Sequence, residues 1–95
     1  MVKVVWTKLA LDDLKIIHTS ISLDSTSYAG RFIDKLLNRV RQLENFPRSG
    51  RIVPEFGIEN IRELIEGNYR IVYKLNNEGV FIVRVHHSSM MLSAI

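Results

Sequence analysis

The stretch Ile61 to His87, IRELIEGNYRIVYKLNNEGVFIVRVHH, constrains the fold more than any other part of this chain. Three β-branched and aromatic runs are separated by Glu66-Gly67-Asn68 and by Asn76 to Gly79, residues suited to turns. Tyr69, Ile71 and Tyr73 alternate with Arg70, Val72 and Lys74, while Phe81, Val83 and Val85 alternate with Val80, Ile82, Arg84 and His86. A period of two predicts consecutive antiparallel strands with one aromatic and aliphatic face.

Register decides which side chains share a face, because a one-residue slip inverts a strand. A three-residue loop, Asn77-Glu78-Gly79, with Gly79 as the left-handed residue of a bulge, pairs Asn76 with Val80 and sets Arg70 opposite His86. A two-residue turn would set Arg70 against the Phe81, Val83, Val85 face, and Asn-Glu suits a type I′ turn poorly. The longer loop predicts a cationic face of Arg70, Lys74, Arg84 and His86, with Val72, Val80 and Ile82 between them. In Ile61 to Glu66 neither parity is clean, since Arg62 adjoins Glu63 and Leu64 adjoins Ile65, which predicts a bulge there.

Ahead of this sheet, Val2, Val4 and Trp6 alternate with polar or smaller residues and predict a short first strand. Thr7 is placed to cap a helix from about Lys8 to Ser22, whose Ala10, Leu14, Ile17 and Ile21 form one stripe. Asp12 and Asp13 lie near its positive end. Asp24, Ser25 and Ser27 offer caps for a second helix carrying Ala29, Ile33, Leu36, Val40 and Leu43, with Phe32 and Leu37 widening the stripe. Its other side, with Arg31, Lys35, Arg39 and Arg41, reads as a solvated face. Pro47 and Gly50 end that helix, Arg51 to Val53 suits a brief strand, and Pro54 to Asn60 a loop.

The aromatic face of the sheet needs an apolar cover, and the antiparallel helical hairpin is the candidate for it. The expected fold is therefore α+β and two-layered: an N-terminal strand, then a helical hairpin packed on a mainly antiparallel sheet of four to five strands. The 95 residues, 46% hydrophobic, suit one domain spanning 1–95.

Without cysteine, neither a disulfide framework nor a thiolate metal site is available. Adjacent His86 and His87 point to opposite faces of a strand, so no metal site is expected, nor any cofactor. The apolar runs are too short for a membrane span and Met1 to Trp6 lacks the apolar core of a signal peptide, which fits a soluble, cytoplasmic protein. A net charge of +3 admits an acidic partner such as RNA or an acidic protein segment.

Nucleotide-binding loops, GxSxG and HExxH are absent, so any chemistry must be assembled on the sheet. Arg70, Arg84 and His86 suit a phosphate-handling site, the arginines neutralising a phosphodiester and the histidine giving a proton. Glu55, after Pro54, is a candidate base. The same cations suit cross-strand pairing with Glu63 or Glu66 on a solvated face. Met90, Met91, Leu92 and Ile95 form an apolar tail expected to pack on its own domain.

Taken together, the strand ending in Trp6-Thr7, Asp13-Leu14 and Ile17, Ala29 and Phe32, LENFPRSG at Leu43 to Gly50, Arg51 to Glu55, Ile61-Arg62-Glu63, YRIVY at Tyr69 to Tyr73 and VRVH at Val83 to His86 resemble the RelE/ParE superfamily of toxins from bacterial type II toxin-antitoxin modules. The resemblance covers nearly the whole chain. It implies a small cytoplasmic toxin, related to plasmid stabilisation and growth inhibition, neutralised by a cognate antitoxin protein. ParE-like members inhibit DNA gyrase; RelE-like members cleave mRNA on the translating ribosome without a metal.

The helical hairpin and FPRSGR resemble ParE, which favours the gyrase class. The resemblance to the nuclease class implies catalytic roles for Arg70, His86 and Glu55, the last like the glutamate that serves as base in the YoeB branch. A lysine pair between Arg51 and Asn60 and a tyrosine after Tyr73 are missing from that pattern. For target binding the expected set is Arg62, Arg70, Lys74, Arg84, His86 and His87. Met90 stands where family members commonly carry an arginine, which implies an attenuated toxin.

Overall fold

The computed structural model describes residues 1–93, so Ile95 of the apolar tail lies outside the described residues. Its elements are β1 (Val4–Trp6), α1 (Lys8–Ser22), α2 (Thr26–Arg41), a 3-10 turn (Gln42–Glu44), β2 (Arg51–Ile52), β3 (Ile61–Glu66), β4 (Tyr69–Asn76) and β5 (Gly79–His87). The five strands form one sheet in the order β1-β5-β4-β3-β2, with β1 parallel to β5 and the remaining pairs antiparallel. This is the expected α+β architecture, its sheet made mixed by the parallel pairing of β5 with β1.

Local chemistry sets both helix starts. The Thr7 hydroxyl accepts from the Ala10 N–H and itself donates to the Ile82 carbonyl at 2.7 Å, so one side chain starts α1 and ties it to β5. Ser25, one of the three candidate caps, accepts from the Tyr28 N–H and starts α2. Between the helices and the sheet, Ala10, Leu14 and Ile17 of α1 and Phe32, Leu36 and Val40 of α2 pack on Leu64, Ile71, Tyr73, Val80, Ile82 and Val85.

The β4–β5 hairpin departs from expectation in two places that offset each other. Its turn is the two-residue one, with Asn76 paired to Gly79 rather than to Val80. No non-glycine residue takes a positive φ among the described residues; instead the Asn76 side chain accepts from the Glu78 N–H, which holds the turn without type I′ geometry. A bulge in β5 between Arg84 and Ile82 then restores one residue, so that Arg70 faces His86 as expected. Because the bulge comes after Ile82, Val80 and Ile82 face the helices, and the predicted placing of these two among the cations is corrected.

The expected bulge in Ile61 to Glu66 is absent: β3 pairs with β4 in unbroken register from Ile61–Lys74 to Glu66–Tyr69. The mixed parity arises because the outer face of β3 is itself covered. Ile61 packs there with Val53, Phe56, Val72, Val83 and Leu92, and Glu63 beside it is buried. The solvated outer face is thus replaced by a second small core, made by the loop after β2 and the segment after β5.

Candidate functional site

Arg62, Arg70, Lys74, Arg84, His86 and His87 lie on strands and Glu55 on the loop after β2, and the outer face draws Arg70, His86 and Glu55 together. Arg70 on β4 donates from Nε to Glu63 at 2.6 Å and from both terminal nitrogens to the two Glu55 oxygens, each at 2.6 Å. Its Nη1 also donates to the Met90 carbonyl at 3.3 Å. Arg51 donates to the other Glu63 oxygen at 2.6 Å. Two arginines and two glutamates therefore form one chain, Arg51–Glu63–Arg70–Glu55, which is neutral as a whole. Arg70 is 5% exposed and Glu63 1%, so the central pair lies out of water.

The electrostatics follow from these contacts. The Arg70 guanidinium and the Leu92 N–H hold the Glu55 carboxyl down at about 2, against an ordinary value of 4.5. Glu55, and Glu63 behind it, raise the Arg70 guanidinium above its already high value. His86 stands beside Arg70 across the strand pair, 9% exposed, and its Nε2 is buried with no partner among the described residues. Burial, and then the nearby charges of Arg70 and Arg84, lower its pKa and favour the neutral ring.

Chemically, Glu55 in this state is a weak base at neutral pH. A neutral His86 with a lowered pKa is a poor proton donor, and a phosphate would have to displace two carboxylates to reach Arg70.

The remaining members of the set are placed elsewhere. Arg84 turns around the edge of β5 to meet Asp13 of α1 at 2.9 Å, and the same carboxylate accepts from the Val85 N–H. Asp13 raises the Arg84 pKa further. The predicted cationic face is corrected accordingly: Arg70 is neutralised by Glu55 and Glu63, and Arg84 by Asp13. Arg62 reaches back to Glu59 and to the Gly50 carbonyl, pinning the loop before β2. His87 lies edge-on to Tyr69 with its Nδ1 2.7 Å from the Ser89 hydroxyl, and Lys74 is partly exposed.

Two residues of these networks were underread in the sequence. Asp13 lies three positions after Ala10 and four before Ile17, hence on the buried stripe, a position where a carboxylate needs a partner. Glu63 shares its parity with the apolar Ile61 and Ile65, which marks it in the same way. No group of three or more histidines, cysteines, aspartates and glutamates able to hold a metal ion occurs among the described residues. Likewise no helix among them is long and apolar enough to cross a membrane.

Comparison with known proteins agrees with this fold. The model of the ParE toxin of type II toxin-antitoxin systems, parDE, matches residues 4–92, and the chain belongs to that family. In fold it is similar to a chain of the chromosomal ParDE toxin-antitoxin system of P. aeruginosa, with a TM-score of 0.76 and 19% identity over 92% of this chain and 96% of that one. It is also similar to a chain of the RelBE2 toxin-antitoxin complex of Mycobacterium tuberculosis, with a TM-score of 0.66 and 22% identity over 90% and 96%. Among curated proteins none gives a significant match.

Proposed function

We propose that this ParE-family toxin arrests growth by binding DNA gyrase in the cytoplasm rather than by cutting RNA, and that a cognate antitoxin neutralises it. The observation that carries the reading is the closed state of Arg70: its guanidinium is held by Glu63 and bidentately by Glu55, and it is buried. Removing either carboxylate from such a pair leaves an uncompensated buried charge, so the arrangement behaves as a structural clamp. Target contact falls to the expected residues that keep exposed atoms, Arg84, Lys74 and His87, with Arg70, Arg62 and His86 supporting them from beneath.

One observation favours ribosome-dependent RNA cleavage: Arg70, Glu55 and His86, its three expected catalytic residues, lie around one spot. Mapping mRNA ends in a translation extract separates the readings. Binding without cleavage leaves the ends unchanged, whereas new ends phased to the ribosome, abolished in a folded Arg70→Lys variant, establish the nuclease.

A further inference from the structure

The charge of the molecule is unevenly placed. Of the 13 cations and 10 acids in the chain, α2 carries four cations, Arg31, Lys35, Arg39 and Arg41, and one acid, Asp34. The remaining nine and nine balance, so the whole excess of +3 resides on this one helix. Elsewhere arginines are matched: Arg48 meets Glu59, Arg51 and Arg70 meet Glu63, and Arg84 meets Asp13. On α2, among the described residues, Arg39 alone has an acidic partner, Glu66 at 3.7 Å. Lys35 and Arg41 are exposed and make no ion pair among the described residues.

Helical spacing gathers these groups on the side turned away from the sheet. Arg31, Lys35 and Asn38 follow at i, i+4 and i+7, and Arg41 stands three positions further, a run of about 15 Å at about 1.5 Å per residue. Of the apolar residues that α2 exposes, Tyr28 has the Arg31 guanidinium over its ring at 5.9 Å, and Leu37 lines a cavity with Val4 and Trp6. The stripe itself therefore lacks an apolar centre. Protein interfaces are built around apolar and aromatic centres, whereas surfaces that meet duplex DNA are polar and strongly positive. Phe32, Leu36 and Val40 on the other side of the helix pack on the inner face of the sheet, so the stripe faces away from Arg70 and its carboxylates.

We propose that the outer stripe of α2 binds the phosphate backbone of duplex DNA without reading its sequence. Arg31, Lys35 and Arg41 each neutralise one phosphate, and Asn38 between them supplies a neutral donor. Asp34, the one acid of the helix, opposes part of the attraction. A duplex carries a charge about every 1.7 Å and releases more counterions per neutralised phosphate than a single strand, so it gains most from a fixed row of cations. Contact of this kind leaves the outer face of the sheet free for a protein target. The inference goes beyond the choice of cellular target and does not depend on it.

The probe is a short fluorescein-labelled DNA duplex of arbitrary sequence, titrated by anisotropy with the full chain and without gyrase. Backbone binding predicts a dissociation constant below about 100 µM at physiological salt, rising about 40-fold from about 50 to about 200 mM, as about three neutralised phosphates require. Lys35→Gln, which keeps the helix propensity, should lower the slope of log affinity against log salt by about one. Arg48→Gln removes an equal charge from the loop before β2, where Glu59 matches it, and should leave the slope unchanged. No binding in this range, a flat salt response, or the same effect from both variants overturns the proposal. Poly-glutamate at equal charge concentration is the last probe: unlabelled duplex should displace the label far more effectively. Equal displacement would assign the stripe to an acidic protein and overturn the reading as a DNA contact.

Discussion

At Arg70 a single guanidinium joins the β3–β4 ladder, the loop after β2 and the segment after β5 through Glu63, Glu55 and the Met90 carbonyl. Truncating one partner of a buried ion pair costs about 3–5 kcal/mol, most of it the penalty on the charge left behind. Arg70→Ala should therefore lower unfolding stability by about that amount in urea titrations, because the buried Glu63 carboxylate is then left with Arg51 alone to balance it. A cost below about 1 kcal/mol would show the clamp to be unimportant.

Acid should act at two neighbouring groups with the same sign. His86 has its pKa lowered from 6.5 by burial first, so the unfolded chain takes up its proton before the folded one does, and stability falls as pH drops below 6.5. Glu55, lowered from 4.5 to about 2 chiefly by Arg70, adds a second loss between those values. Urea midpoints measured from pH 8 to pH 4 should show the upper decline in the unaltered chain and lack it in His86→Gln. Identical profiles would contradict this account of His86.

Among the elements, the β4–β5 hairpin shows how far local pattern carries and where it stops. Period-two alternation located β4 and β5, the turn residues around them bounded β3, and Thr7 and the group Asp24, Ser25 and Ser27 marked the two helix starts, because these features depend on neighbours within a few residues. The bulge in β5 was not legible at that range. Thr7 takes the Ile82 carbonyl, and Asp13 takes the Val85 N–H, so the bulge sits where β1 gives way to α1, some seventy residues away in the chain.

Gly79 closes the turn and also lets the chain ahead of β1 come close: at φ +140°, a Cβ there would come within 2.5 Å of the Lys3 carbonyl oxygen. Gly50 is similarly enclosed, since a Cβ would lie 2.6 Å from both the Glu63 carbonyl and the Tyr73 hydroxyl. That hydroxyl accepts from the Gly50 N–H and donates to the Pro47 carbonyl, fastening the loop before β2 to the core. Gly50→Ala should destabilise the domain by about 1–3 kcal/mol through overpacking, measured by thermal or urea unfolding. An unchanged midpoint would mean that the loop yields and that the Tyr73 anchor is loose.

For the molecule as a whole, the fold was legible because helix stripes and strand alternation are set by which faces meet, and a chain of this size has few ways to pair them. The site was less so. Its candidate residues were named from the sequence, and the structure brings Arg70, Glu55 and His86 together, but it also satisfies Arg70 internally, which depends on a loop and a terminal segment with no periodic signal. Met90→Arg tests the expectation of an attenuated toxin. The Met90 side chain is 56% exposed while its carbonyl is fixed by Arg70, so Met90→Arg fits without disturbing the core and adds a cation beside the cavity that Arg84 lines. Stronger growth arrest on induction of Met90→Arg is expected; equal arrest by the two proteins would remove the case for attenuation.

The central claim is that this ParE-family chain acts by binding gyrase while its Arg70 cluster stays closed. Supercoiling of relaxed plasmid by purified gyrase, titrated with the toxin, measures it directly. Dose-dependent loss of supercoiling, weakened by Arg84→Ala and reversed by the cognate antitoxin, is the result predicted; full supercoiling at saturating toxin would contradict it.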